Sequence, residues 1–171
     1  MQFLIFLPIY LLCLTIHEFG HIIMVLKCGH KIIGLSIGVP MKPILTIPIK
    51  LIKSGFNLYL TPYFWGAMTF TDIRENEIKT STLSLITLAG PLLNIMCLIV
   101  VYLVRGSSEF SSLVHYFVPS SNNARFLSFW ELFIAFNFTC GFGELIPFVS
   151  GDGTRLFRII QKALKPVKTN A

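Results

Sequence analysis

Residues Phe3–Leu26 form an apolar run long enough to cross a bilayer, yet His17, Glu18 and His21 lie inside it. A spanning helix takes about 20 predominantly apolar residues. Each ionisable group near its centre costs about 2.5–3.5 kcal/mol on insertion scales. Three such groups within five positions need a compensating partner, and a bound cation supplies one. The apolar run resumes at Ile22–Leu26, which argues against a span that ends near Thr15 and leaves these residues as a solvated flank.

Two further runs reach spanning length. Leu83–Val104 contains Asn94, and Phe126–Val149 contains Glu131, Asn137 and Glu144. Hydrophobic residues make up 54% of the chain and charged residues 13%, against about 25% charged in a typical soluble domain. A soluble enzyme of this composition would expose an aggregating apolar surface. Disorder is excluded, because it needs low hydrophobicity and high net charge. The fold class expected is an all-α polytopic membrane protein with about three transmembrane helices, built as one domain over residues 1–171. Between the first two spans, residues 28–80 hold Pro40, Pro43, Pro48 and Pro62, which block long helices. Lys31–Val39 and Phe56–Thr61 read as short strands, so a small β region at the membrane face is expected. Leu113–Val118 is too short to span, and the tail to about Leu164 reads as an amphipathic helix.

The net charge of +6 is spread unevenly. Lys27–Ser81 holds seven Lys/Arg (Lys27, Lys31, Lys42, Lys50, Lys53, Arg74, Lys79), and the tail holds five (Arg155, Arg158, Lys162, Lys165, Lys168). The loop between the second and third spans holds only Arg105 and Arg125. The positive-inside rule then puts the first loop and the tail in the cytoplasm. No basic cluster interleaved with exposed aromatics suggests a nucleic-acid partner. Cys13, Cys28, Cys97 and Cys140 form no C-x-x-C pair, so neither a disulfide framework nor a zinc ribbon is inferred. The first run lacks a basic n-region and a small-residue cleavage site, and reads as a retained helix rather than a signal peptide.

His17-Glu18-Phe19-Gly20-His21 is an H-E-x-x-H motif. On a helix its two imidazoles share a face and can bind one metal ion, with the Glu placed to activate water. A catalytic zinc needs a third protein ligand and an open position. Asp152 is the candidate, beside a helix break expected from Pro147, Gly151 and Gly153, and the orientation rule puts it at the level of the histidines. The other reading of Asp152 is an N-cap of the tail helix. Rival ligands are Glu144, Cys13 and Cys28, with Cys13 one turn before His17. Asn94, in Ala89-Gly90-Pro91-Leu92-Leu93-Asn94, either makes an interhelical hydrogen bond or faces the metal site and contacts substrate or a transition-state oxygen. Glu131 reads as a flank near the outer interface, Asn137 as an interhelical hydrogen-bonding residue, and His30 and His115 as loop residues.

Together these elements resemble the site-2 protease family of intramembrane zinc metalloproteases. One helix carries H-E-x-x-H, a second carries G-P-x-x-N as Gly90, Pro91 and Asn94, and a third carries N-x-x-P-x-x-x-x-D-G in part, as Pro147, Asp152 and Gly153. Gly29–Pro40 and Trp65–Phe70 are similar to the family's post-motif glycine and strand-forming membrane loop. Glu144 stands where family members often have Asn. The chain looks like a minimal three-helix core form. The resemblance implies one Zn2+ held by His17, His21 and Asp152, with Glu18 passing a proton from water to the leaving amine. It assigns Asn94 and the Glu144 position to substrate or transition-state contacts. It implies a transmembrane or membrane-associated polypeptide as substrate, and an edge strand within Lys31–Phe70 could hold that substrate extended. The location implied is a bacterial cell membrane, with the active site toward the cytoplasm. Two other readings are a catalytically silent pseudo-protease that sequesters a partner helix, and a small metal transporter.

Overall fold

The structure, a computed structural model, describes residues 2–38, 42–50, 55–62, 66–74, 77–108, 110–111, 128–147 and 151–164. Trp65, His115, the Leu113–Val118 run, Lys165 and Lys168 lie outside these residues. Among those described, the chain is mostly helical, with four α-helices and one small sheet. Helix α1 (Gln2–Lys27) and helix α2 (Thr80–Arg105) have 26 residues each. At 1.5 Å per residue that is about 39 Å, more than the roughly 30 Å hydrocarbon core of a bilayer. Ile5–Lys27 and Thr80–Arg105 are the two stretches long and apolar enough to cross a membrane by length and composition.

The third expected span is shorter where it is described. Helix α3 covers Phe129–Phe142, and a 3-10 turn continues it to Leu145. Its start is fixed by a capping box: the Ser128 side chain accepts the Glu131 N–H, and the Glu131 carboxylate accepts the Ser128 N–H. Glu131 is therefore buried at a helix start, not a flank reaching toward water. The helix ends before the expected breakers. Ile146 is extended, as the residue before Pro147 must be, and Gly153 lies inside helix α4 (Asp152–Leu164).

Between α1 and α2 lie β1 (Ile32–Ile37), β2 (Leu45–Ile49), β3 (Phe56–Leu60) and β4 (Ala67–Thr71). The first and third fall on the two expected strand segments. The sheet order is β2-β3-β1-β4, with β1 parallel to β3 and antiparallel to β4, and β2 antiparallel to β3. Two apolar cores hold these parts together. Ile9, Cys13, Leu98, Val101, Leu132, Ile134 and Phe136 join α1, α2 and α3. Ile22, Val25, Ile32, Leu35 and Ile86 join the C-terminal end of α1 to β1 and the start of α2. The H-E-x-x-H turn lies between the two cores, and β4 packs beside α1.

Candidate metal centre

His17, Glu18 and His21 are all buried on α1. Their burial depends on a close approach of α2. A Cβ at Gly20 would meet the Ala89 carbonyl oxygen, and a Cβ at Gly90 would fall on His21 Nε2 and 2.7 Å from His17 Nε2. Two glycines facing each other bring the helix axes together and leave room for two imidazoles.

Each ring is held through its Nδ1. His21 Nδ1 lies 2.7 Å from the Ile86 carbonyl oxygen, which can only accept, so this nitrogen carries the proton. His17 Nδ1 lies 3.0 Å from Asn94 Oδ1. The Asn94 amide orientation follows from its other contacts: Nδ2 donates to the Cys13 carbonyl at 3.1 Å and to Asn137 Oδ1 at 2.9 Å. The Asn137 amide is fixed in turn by donating to the Phe133 carbonyl at 2.8 Å. A chain of single-valued hydrogen bonds from α3 through α2 thus makes His17 Nδ1 a donor as well.

Both neutral rings then present an Nε2 lone pair, and these converge with a carboxylate. The two Nε2 atoms are 3.2 Å apart, and Asp152 Oδ2 lies 3.0 Å from each. A tetrahedral ion with bonds near 2.1 Å holds its donors roughly 3.4 Å apart. The observed set is slightly tighter, and its chemistry is that of a catalytic zinc site: two imidazoles and a carboxylate, each imidazole oriented by a second hydrogen bond. Among the described residues, His17, His21 and Asp152 form the group that could hold a metal ion. Burial raises the Asp152 carboxyl, but hydrogen bonds with His17 and His21, and their charge, outweigh it and lower it to about 2.

Of the rival ligands, the two cysteines lie away from the cluster and Glu144 lies beside it. Cys13 Sγ lies 3.0 Å from Asn137 Nδ2 and 3.8 Å from the Phe133 carbonyl, inside the helix core. Cys28 packs against the sheet-side core. The Glu144 carboxylate lies against Gly151, where a Cβ would overlap Oε2, and it accepts a hydrogen bond from the Asp152 backbone. Gly151 has φ 132°, a conformation that side chains rarely adopt. Glu144 and Gly151 together shape the turn that delivers Asp152. Asn94 faces the cluster through the His17 ring. It is fully buried, with its amide engaged by His17, Cys13 and Asn137. Asn137 makes the expected interhelical hydrogen bond. His30, by contrast, lies 3.8 Å from Asp72.

Sequence reasoning missed Thr69. Its Oγ1 donates to Glu18 Oε2 at 2.6 Å, tying β4 to the carboxylate between the two histidines. Only its place in the Trp65–Phe70 segment hinted at a role. The edge of β4 is also informative. Gly38 N donates to the Gly66 carbonyl at the end of the β1–β4 ladder. The alternation of an antiparallel pair then turns the backbone N–H and C=O of Ala67 and Thr69 away from β1.

Comparison with known proteins agrees with this geometry. None of the curated proteins compared with the chain matches it. The family model described as peptidase family M50 matches residues 5–171. That match covers all of the H-E-x-x-H turn, the Gly90–Asn94 element and Asp152, and the chain belongs to peptidase family M50, the site-2 protease family of metallopeptidases.

Proposed function

We propose that this chain is a zinc-dependent intramembrane endopeptidase that hydrolyses a peptide bond in or near a transmembrane segment or a membrane-bound peptide. The observation that carries the reading is the convergence of His17 Nε2, His21 Nε2 and Asp152 Oδ2 beside the buried Glu18. Zinc suits an N, N, O donor set with an open position. When bound, it would supply Lewis acidity toward a water and a peptide carbonyl. Glu18 holds the proton taken from water at its carboxylate and returns it to the leaving nitrogen. Asn94 and Ile86 hold the Nδ1 protons of His17 and His21, so both rings would offer Nε2 to the metal.

A membrane location is supported by exposed apolar side chains along both long helices. On α2, Leu85, Leu92, Met96, Ile99 and Leu103 are exposed at spacings of seven, four, three and four. They form a stripe that lipid would cover. With α3 as a third span, the excess of basic residues supports a cytoplasmic side for the sheet and the tail in a protein of the bacterial cell membrane. A helical substrate hides its peptide bonds, so it must be extended before cleavage. Edge strand β4 is the candidate platform, because Ala67 and Thr69 turn their backbone groups outward beside Glu18.

The reading is tested by cleavage of a reporter transmembrane peptide by purified protein with zinc, compared with Glu18→Gln. Loss of cleavage with metal retained is the expected result. Equal cleavage by both proteins would remove Glu18 as the base. Absence of cleavage by either, across several substrates, would favour a pseudo-protease that sequesters a partner helix.

A further inference from the structure

Helix α4 has 13 residues and three distinct sectors. One sector packs inward: Ile159 is buried, and α4 lies against α2. A second is apolar and open: Phe157, Ile160 and Leu164 are exposed and, at spacings of three and four, fall in one stripe. The third is cationic, with Arg158 and Lys162 exposed one turn apart beside the stripe. After Asp152 the chain has no further acidic residue, and Lys165 and Lys168 extend the basic series in the sequence. The helix, about 20 Å long, is too short and too charged to span.

We propose that α4 is a lipid-surface helix. Phe157, Ile160 and Leu164 enter the acyl boundary of the bilayer, and Arg158 and Lys162 bind anionic headgroups. Two observations select lipid over a protein partner. The exposed charged side chains of α4, Arg158 and Lys162, are both cationic, which complements an anionic membrane surface. The open stripe also sits on a helix packed against α2, whose own exposed Leu85–Leu103 stripe already needs lipid. The inference rests on the membrane reading above. It adds that the helix opening with Asp152 is itself held by lipid.

The test uses the full chain in nanodiscs whose acyl chains carry a quencher. An environment-sensitive fluorescent amino acid is placed at position 160, and in a second protein at position 103 on α2. In discs containing phosphatidylglycerol, both labels should be quenched. Arg158→Glu with Lys162→Glu, or discs of phosphatidylcholine alone at high salt, should reduce quenching at 160 at least twofold and leave 103 unchanged. Quenching at 103 without quenching at 160 would overturn the proposal. So would quenching at 160 that ignores both charge reversal and headgroup. Energy transfer between 160 labels on two copies in one disc, without lipid quenching, would assign the stripe to self-association and also overturn it. Absence of quenching at 103 would instead count against the membrane reading, and the lipid proposal would fall with it.

Discussion

Thr69 on edge strand β4 donates a 2.6 Å hydrogen bond to Oε2 of Glu18 on α1. The bond links the strand proposed to receive a substrate to the carboxylate proposed to move the proton. A hydrogen bond to a charged group contributes about 1.5–3 kcal/mol. Thr69→Val should therefore lower kcat about tenfold or more with metal content unchanged, whereas Thr69→Ser should stay within about threefold of the parent. Equal kcat in all three proteins would show that the hydroxyl does not position Glu18.

The outward backbone groups of β4 give a separate prediction. Proline at an edge position removes one N–H and leaves the inner ladder intact. Ala67→Pro should reduce cleavage about tenfold or more with the metal retained, because the N–H it removes points away from β1. Met68→Pro should unfold the sheet instead, since that N–H faces β1. Unchanged cleavage by Ala67→Pro would remove strand addition on β4.

Much of the centre was legible because its geometry is local. His17 and His21 share a face by helix periodicity alone, and Gly90 announced a close approach. Asp152 was reachable through the helix break expected around it, its match to the family's third element and the charge asymmetry that put it at the same level. Thr69 was not legible, because its meeting with Glu18 depends on how a four-stranded sheet with one parallel pair sits on α1. No periodicity encodes that placement. The partners of Asn94 on α1 and α3 were hidden for the same reason. The Ser128-to-Glu131 spacing, in contrast, is a local capping signature that a reading for apolar runs passes over. It corrects both the start of α3 and the role of Glu131.

Asn94 orients the His17 ring, and Asn137 orients Asn94. Loss of an outer partner of a metal-bound histidine typically costs 10–100-fold in affinity or activity. Asn94→Leu should weaken zinc binding by about that factor. Asn137→Leu should weaken it less, because its effect on His17 passes through Asn94. Titration of the apo-protein with zinc against a competing chelator measures both. Parent-like affinity in Asn94→Leu would exclude the orienting role.

Gly90→Ala sets two effects against each other. Alanine in a helix interior is favoured over glycine by roughly 0.8–1.0 kcal/mol. The added Cβ, however, would overlap His21 Nε2 and crowd His17 Nε2. Overpacking of this kind typically costs about 1–3 kcal/mol. The clash should win, and Gly90→Ala should lose metal and melt at a lower temperature. A higher melting temperature with full metal content would mean that the helices can separate without disturbing the rings.

Glu144 stands where the resemblance implies an Asn, and the geometry gives it work inside the protein. Its carboxylate accepts a hydrogen bond from the Asp152 backbone and fills the space beside Gly151. Glu144→Gln keeps an acceptor for that N–H and should retain metal affinity within a fewfold. Glu144→Ala removes the acceptor, frees the turn, and should weaken metal binding about tenfold or more. Calorimetric zinc titration of the three proteins checks this without reference to activity. If Glu144→Ala binds metal as tightly as the parent while Glu144→Asn speeds cleavage, the position serves the substrate rather than the turn that carries Asp152.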